Sequence, residues 1–222
     1  MTGDEAKEVL GIVQRIGPVV LSSANDLSGD VGTALRRAVG MMVVDRAMAD
    51  ANVFSFALNV CLDLARHSGA TLASMDRVRL AALAETPVGL PAVEAVMSIV
   101  QLTLAMEARI VAYMTFRSRE EADQIATSMN DAFEASAEIA ADDLDVATYM
   151  AIINLHGDVT QHLADAGRQL PRVISYNFTQ VMPSLRLAQR AYADPARYAE
   201  LISENHVVHP AFMPREGIML AV

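Results

Sequence analysis

"ISYNFTQVMPSLRLAQRAYADPARYAELISENHVVHPAFMPREGIMLAV" runs from Ile174 to Val222 and reads strand, helix, helix, strand. Val173 to Phe178 is β-branched and aromatic, which suits a pleated, half-buried strand. Pro183–Ser184 can open a helix, and Leu185, Ala188 and Tyr192 then share one face. Asp194–Pro195 stops that helix and starts the next, because proline is tolerated in a first turn and not in an interior. Tyr198, Leu201 and Ile202 repeat there at helical spacing. Pro210 and Pro214 break the chain, and Ile218 to Val222 is apolar enough to close the module as a second strand. The expected core is Leu187, Tyr198, Leu201, Ile202 and Leu220.

Upstream of this module the pattern is helical. Val9, Ile12, Val13 and Ile16 repeat on one face, and Gly17–Pro18 is the expected stop. Ser22–Gly32 is polar and reads as a loop. One long helix is expected from about Thr33 to His67, with Leu35, Val39, Met42, Phe54, Leu58, Cys61 and Leu62 near one side. Met75–Ala84 is a further helix, halted by Pro87 and Gly89. Ala92–Thr115 is strongly apolar and should be central. Ser118–Glu121 has the form of a capping box, in which the hydroxyl and the carboxylate satisfy reciprocal backbone donors. It opens a helix to about Ala140. Asp142 or Asp143 caps the last long helix, with Tyr149, Ile152, Ile153, Leu155, Val159 and Leu163 inward, and Pro171 ends it. The fold class is therefore mainly α: a helical body over residues 1–170, then a small β-α-α-β module over 171–222.

A chain of 222 residues can bury a sizeable core. Hydrophobic residues make up 53% and aromatics only 5%, which suits close-packed helices better than a β-sandwich. The single cysteine, Cys61, excludes an internal disulfide and reads as a core thiol. No basic segment precedes an apolar run at the start, so no signal peptide is expected. The apolar runs Ala38–Leu64 and Val88–Met114 are interrupted by charges, so neither is expected to span a membrane, which needs about 20 predominantly apolar residues.

The net charge of −10 is unevenly placed. From Arg168 onward six Arg face four acids, a net +2, which leaves −12 on the first 167 residues. An acidic body repels a phosphate backbone, so no direct nucleic-acid binding is expected. Lys7 is the only lysine. Arginine pairs bidentately with carboxylates, so the Arg-bearing module suits an acidic partner surface.

The chain contains no Walker loop, G-x-G-x-x-G, G-x-S-x-G or H-E-x-x-H motif. His206 and His209 form H-x-x-H, but in a turn and with too few neighbours for a metal centre. His156 and His162 lie six apart on one helix and do not share a face. The acid pairs at 120–121 and 142–143 sit at helix starts, where they complement the macrodipole. No catalytic residue, cofactor or metal is expected.

The order strand, helix, helix, strand, closing on Asn205, Pro210, Phe212, Pro214, Gly217, Leu220 and Val222, resembles the LysM domain. More narrowly, "LAQRAYADPARYAELISENHVVHPAFMP" (187–214) is similar to the C-terminus of the Mu-like phage DNA circularisation proteins. "FRSREEADQIATSMNDAFEASAE" (116–138) and "LADAGRQLPRVISY" (163–176) resemble that family's upstream helices and the entry to its terminal module. The likeness covers about residues 105–222 and is most specific in the last fifty. Ala193 stands where the family has glycine, and Arg215–Glu216 precede Gly217 where the family often has Gly-Gly. The family's large N-terminal domain has no counterpart in the residues read here.

What the resemblance implies is a structural protein of a phage or prophage tail. It would be a virion component of the baseplate or hub, assembled in the host cytoplasm with other tail proteins and with copies of itself. The docking set on this reading is Arg186, Arg190, Tyr192, Tyr198, Asn205, His209, Pro210, Phe212 and Pro214. The alternative is peptidoglycan binding, since LysM modules often hold N-acetylglucosamine polymers; the loops Thr179–Met182 and Asn205–Pro210 would then carry the site, with the helical body as a spacer.

Overall fold

The computed structural model describes residues 2–142 and 145–221. Asp143, one of two caps expected for the last long helix, and Val222, the expected end of the closing strand, lie outside the described residues. The fold is mainly helical, with one small two-stranded sheet. The chain divides into two compact units. One takes in the chain up to Met114 together with Met129–Val159; the other takes in Thr115–Ser128 and the chain from Thr160 onward.

In the first unit, helix α1 (Gly3–Ser23) buries Val9, Ile12, Val13, Ile16 and Val20. The stop expected at Gly17–Pro18 does not occur, and Pro18 sits inside the helix. The pair marks a close crossing instead. A Cβ on Gly17 would overlap the Val43 side chain of α2 (Gly29–Val44), so only glycine admits α2 at that distance. Burial of Val20 beyond the proline offsets the lost backbone bond.

The single long helix expected from Thr33 to His67 is three pieces: α2, a 3₁₀ turn Arg46–Ala49, and α3 (Ala51–His67). Two aspartates make the breaks. The Asp45 carboxylate accepts the Ala47 amide at 2.9 Å, and Asp50 accepts those of Asn52 and Val53 at 2.9 and 3.2 Å. Short acidic side chains that bond their own backbone compete with helix and favour caps. The bend turns Met48 into the core.

Helix α4 (Leu72–Leu83) starts three residues earlier than the apolar pattern suggests, because Thr71 and Ser74 cap it reciprocally. Helix α5 (Leu90–Val111) packs against α1, α3 and α4 and is the centre of this unit. By length and composition it is apolar enough to cross a membrane, contrary to the expectation drawn from its charges; half of its most apolar window is buried inside the protein. The turn before α5 is tied to α1. Glu8 accepts the amides of Val88 (2.6 Å) and Gly89 (3.0 Å), and Arg15 grips Glu85 at 2.6 and 2.9 Å.

Helices α6 (Arg119–Asp142) and α7 (Val146–Arg168) contribute to both units. The capping box at Ser118 is half formed. Ser118 Oγ accepts the Glu121 amide at 3.2 Å, but the Glu121 carboxylate reaches one residue further back, to the Arg117 amide at 2.7 Å. The cap of α7 is Asp145, which accepts the Thr148 amide at 3.1 Å. Ile152, Val159 and Leu163 are buried as expected, whereas Tyr149 and Ile153 face solvent.

In the second unit, β1 (Val173–Asn177) pairs antiparallel with β2 (Glu216–Leu220), Val173 opposite Leu220 and Tyr176 opposite Gly217. Between them lie α8 (Ser184–Tyr192), a 3₁₀ turn Pro195–Arg197, and α9 (Tyr198–Glu204), so the observed order is β-α-α-β. Tyr176, Met182, Leu187, Ala188, Tyr192, Leu201 and Met213 form the core. Two expectations fail here. Leu185 is exposed on α8, and Tyr198 is 40% exposed at the start of α9, whereas Leu187 is buried as expected. A period of 3.6 places 184, 187, 188 and 192 on one face, and the buried Ser184 completes it.

Ala193 ends α8 in the left-handed region, at φ 58°. A Cβ there costs about 1–2 kcal/mol, of which about 0.4–1 kcal/mol is recovered from the stiffer unfolded chain. Ala193→Gly is therefore expected to stabilise the module by up to about 1 kcal/mol. A denaturation midpoint unchanged or lowered by that substitution would contradict this account of the helix end.

Candidate docking surface

Asn205 organises the second unit. It ends α9, and its side-chain amide bonds both main-chain polar groups of Ile218 in β2. Nδ2 donates to the carbonyls of Ile218 (2.7 Å) and Leu201 (2.9 Å), while Oδ1 accepts the Ile218 amide at 2.8 Å. The amide thus stands in for a missing strand neighbour. Gly217 is required beside it, since a Cβ there would overlap Asn205 Oδ1 and approach Tyr176 Oη to 2.6 Å. The Tyr176 hydroxyl is buried and has no hydrogen-bond partner among the described residues. Burial raises its pKa.

Tyr192 is likewise internal. Its hydroxyl accepts the Leu220 amide at 3.2 Å, and the Arg197 guanidinium lies 3.8 Å from its ring centroid. Burial first, and then Glu200, raises its pKa. Arg197 is held by Glu200 at 2.8 Å. Asn205 and Tyr192, both expected at the surface site, are therefore structural supports of the module, and a docking role would fall to the other members of the set.

Those members divide between one end of the module and the outer face of α8. Met182 and Met213 form a bridge, the Met213 amide donating to the Met182 carbonyl at 3.0 Å, and Ser184 donates to the Pro210 carbonyl at 2.8 Å. These bonds bring the loop before α8 beside the segment 206–215, so His209, Pro210, Phe212 and Pro214 lie near the start of α8. Phe212 is 67% exposed, with the His209 ring 5.3 Å away. Val181 and Val208 are also exposed there and were not singled out from the sequence, where each reads as an ordinary apolar residue in a short loop. Arg186 and Arg190 stand on the outer face of α8, and Arg190 lies 5.0 Å from the Phe178 ring centroid. Tyr198 stands apart from this end, at the start of α9.

His206, at the end of α9, takes a left-handed conformation at φ 50°. The Val207 amide there bonds the Ile202 carbonyl, the wrap-around closure of a helix end. The residue serves chain reversal, and His209 is not joined to it in a metal site: among the described residues no cluster of three or more His, Cys, Asp or Glu is placed to hold an ion. Glu120 also has a structural task. Its carboxylate accepts the Val173 amide at 2.8 Å, tying β1 to the start of α6, and that bond is the main cause of its lowered pKa.

Among the described residues, the first unit holds one buried ion pair. Glu107 on α5 is 1% exposed and pairs with Arg79 Nε at 3.3 Å; Arg79 also pairs with Asp76. Burial outweighs the nearby guanidinium and lifts the Glu107 pKa to about 7. The sequence carried the signal: Glu107 falls on the same helical face as Val96, Val100 and Thr103, where a charge must be paired. Cys61 is buried, and burial lifts its thiol to about 11, so it is an inert core group.

Two outcomes follow. Asn205→Ala strands the amide and carbonyl of Ile218, at a cost of about 1–3 kcal/mol, and its denaturation midpoint should fall accordingly. For Glu107 the folded-state pKa lies above the unfolded value of 4.5. The folded protein therefore binds this proton first, and stability should rise as pH falls from about 7 towards 4.5. The expected gain is on the order of 1–3 kcal/mol. Glu107→Gln should flatten that rise, as read by denaturation at pH 8 and pH 5; an undiminished rise would contradict the assignment.

No protein-family model matches this chain, and no curated protein sequence matches it. The reading of its function therefore rests on the residues and their geometry.

Proposed function

We propose that the chain is a structural component of a phage or prophage tail, part of the baseplate or hub, and that its terminal β-α-α-β unit is a docking module. The observation that carries this reading is the module's composition of surface. A rigid internal frame, locked by Asn205, presents exposed Val181, Val208 and Phe212 at one end and exposed Arg186 and Arg190 beside it. Apolar groups with adjoining arginines are what protein interfaces are enriched in. The likeness of residues 187–214 to the Mu-like DNA circularisation family supports the same assignment, and that resemblance names tail proteins as the partners. On this reading the chain is not an enzyme, α5 is the core helix of the body, and the acidic first unit does not contact DNA.

One observation favours a second reading. The Met182–Met213 bridge and the Ser184–Pro210 bond hold the ends of the loops 179–182 and 205–210 near one another, and Phe212, exposed, lies in the same segment. Exposed aromatics stack on sugar faces, so glycan binding is the competing function.

Deleting residues 172–222 from the chain, in the phage that encodes it, should prevent its incorporation into tails. Leu201→Ala should act in the same direction, since Leu201 is fully buried and such truncations cost about 2–5 kcal/mol. Complete, infectious tails made with the deleted chain would refute the docking role. Retention of the intact protein on insoluble peptidoglycan, lost with Phe212→Ala, would install the glycan reading in its place.

A further inference from the structure

Helix α5 carries a second surface that the packing of the first unit leaves open. Two adjoining hollows of about 290 and 370 Å³ run along it and share Ser98 and Gln101. The larger is walled by Leu90, Val93 and Met97, with the carboxylates of Glu94 and Asp145 at its edge. Leu90 is 70% exposed, and Glu94 is exposed with no ion-pair partner among the described residues. Hydrogen bonding to Thr148 holds the Asp145 pKa below the usual range, so it is charged at neutral pH. The site is thus mixed: Leu90, Val93 and Met97 give it an apolar side, and Glu94 and Asp145 add two carboxylates to its polar lining.

The opposite pattern stands on α8. Leu185 is 55% exposed, Arg186 follows it, and Arg190 lies one turn further along the same helix. Neither guanidinium has an ion-pair partner among the described residues. An apolar side chain flanked by two arginines complements a hollow with an apolar side and two carboxylates, above all in charge.

We propose that the hollow beside α5 receives the Leu185–Arg190 face of α8 from a second copy of this chain. Leu185 enters between Leu90, Val93 and Met97, and Arg186 and Arg190 meet Glu94 and Asp145. The two halves of the contact are different surfaces, so the association is head-to-tail. It builds a ring if the rotation closes and an open chain if it does not. This inference rests on the reading of the protein as an assembling tail component and names the contact by which its copies join.

The test is sedimentation velocity of the full chain over a range of concentrations, at low and high salt. Wild type should form species larger than a monomer, and raising the salt should weaken them, since rim charges are screened over about 8–10 Å at 0.10–0.15 M salt. Glu94→Arg and Arg190→Glu should each return monomer, with the apparent dissociation constant raised about tenfold or more. Circular dichroism should show unchanged helix in both. An equimolar mixture of the two variants should associate again, because each faces a complementary charge only in the other. A wild type that stays monomeric, or an oligomer indifferent to salt and to both substitutions, would overturn the proposal. Incorporation of the wild-type chain into tails is scored separately. A wild type that stays monomeric yet enters tails would sink this contact and leave the docking role standing. Wild type that self-associates but is absent from tails would do the reverse.

Discussion

The terminal unit depends on one side-chain amide. Asn205 bonds both polar groups of Ile218 and the carbonyl of Leu201, joining the end of α9 to the middle of β2. A two-stranded sheet is marginal alone, and helices of nine and seven residues cannot persist in water. Each element borrows its stability from the others, and the amide sets where they meet. The surrounding constraints follow. Position 217 must lack a Cβ, the Tyr176 ring must pack against it, and Tyr192 must sit where its hydroxyl takes the Leu220 amide.

The first unit is organised by a different constraint, the burial of one face of α5 against α1, α3 and α4. That face has little room for charge, yet Glu107 lies on it. The pairing with Arg79 keeps the carboxylate from being stranded, though not from being raised toward neutrality. A buried ion pair is poor evidence of stability, because the desolvation of both partners consumes most of what their attraction supplies. Its effect is to tie α4 to α5 in one register. Small residues extend the same logic at Gly17, where α1 and α2 approach too closely for any side chain.

Sequence reasoning found most elements and misplaced several of their ends for a common reason. Hydrophobic period reports which face is buried, and it is blind to side chains that bond their own backbone. Asp45 and Asp50 interrupt a pattern that stays apolar through the break, so the expected long helix is really two with a turn between. Pro18 errs in the opposite direction: as a local signal it says stop, but burial of Val20 keeps the helix going. In the candidate site, Arg186, Arg190 and Phe212 were legible as surface groups. Asn205 and Tyr192 were legible as important but not as internal, since what distinguishes the two roles is a partner thirteen or twenty-eight residues away.

The sequence by itself determined the class of the fold and the order of its last four elements. Helical period, Asp-Pro and Pro-Ser boundaries and β-branched runs are local signals, and local signals decide local structure. It also determined the charge contrast between the body and the end of the chain. Only the tertiary structure decided that Leu185 faces outward, that Arg79 is the partner of Glu107, and that the segment 206–215 lies against the loop before α8. Each of these depends on which distant backbone or side chain arrives at a given place. Burial and hydrogen bonding are properties of that arrival, and no spacing along the chain encodes them.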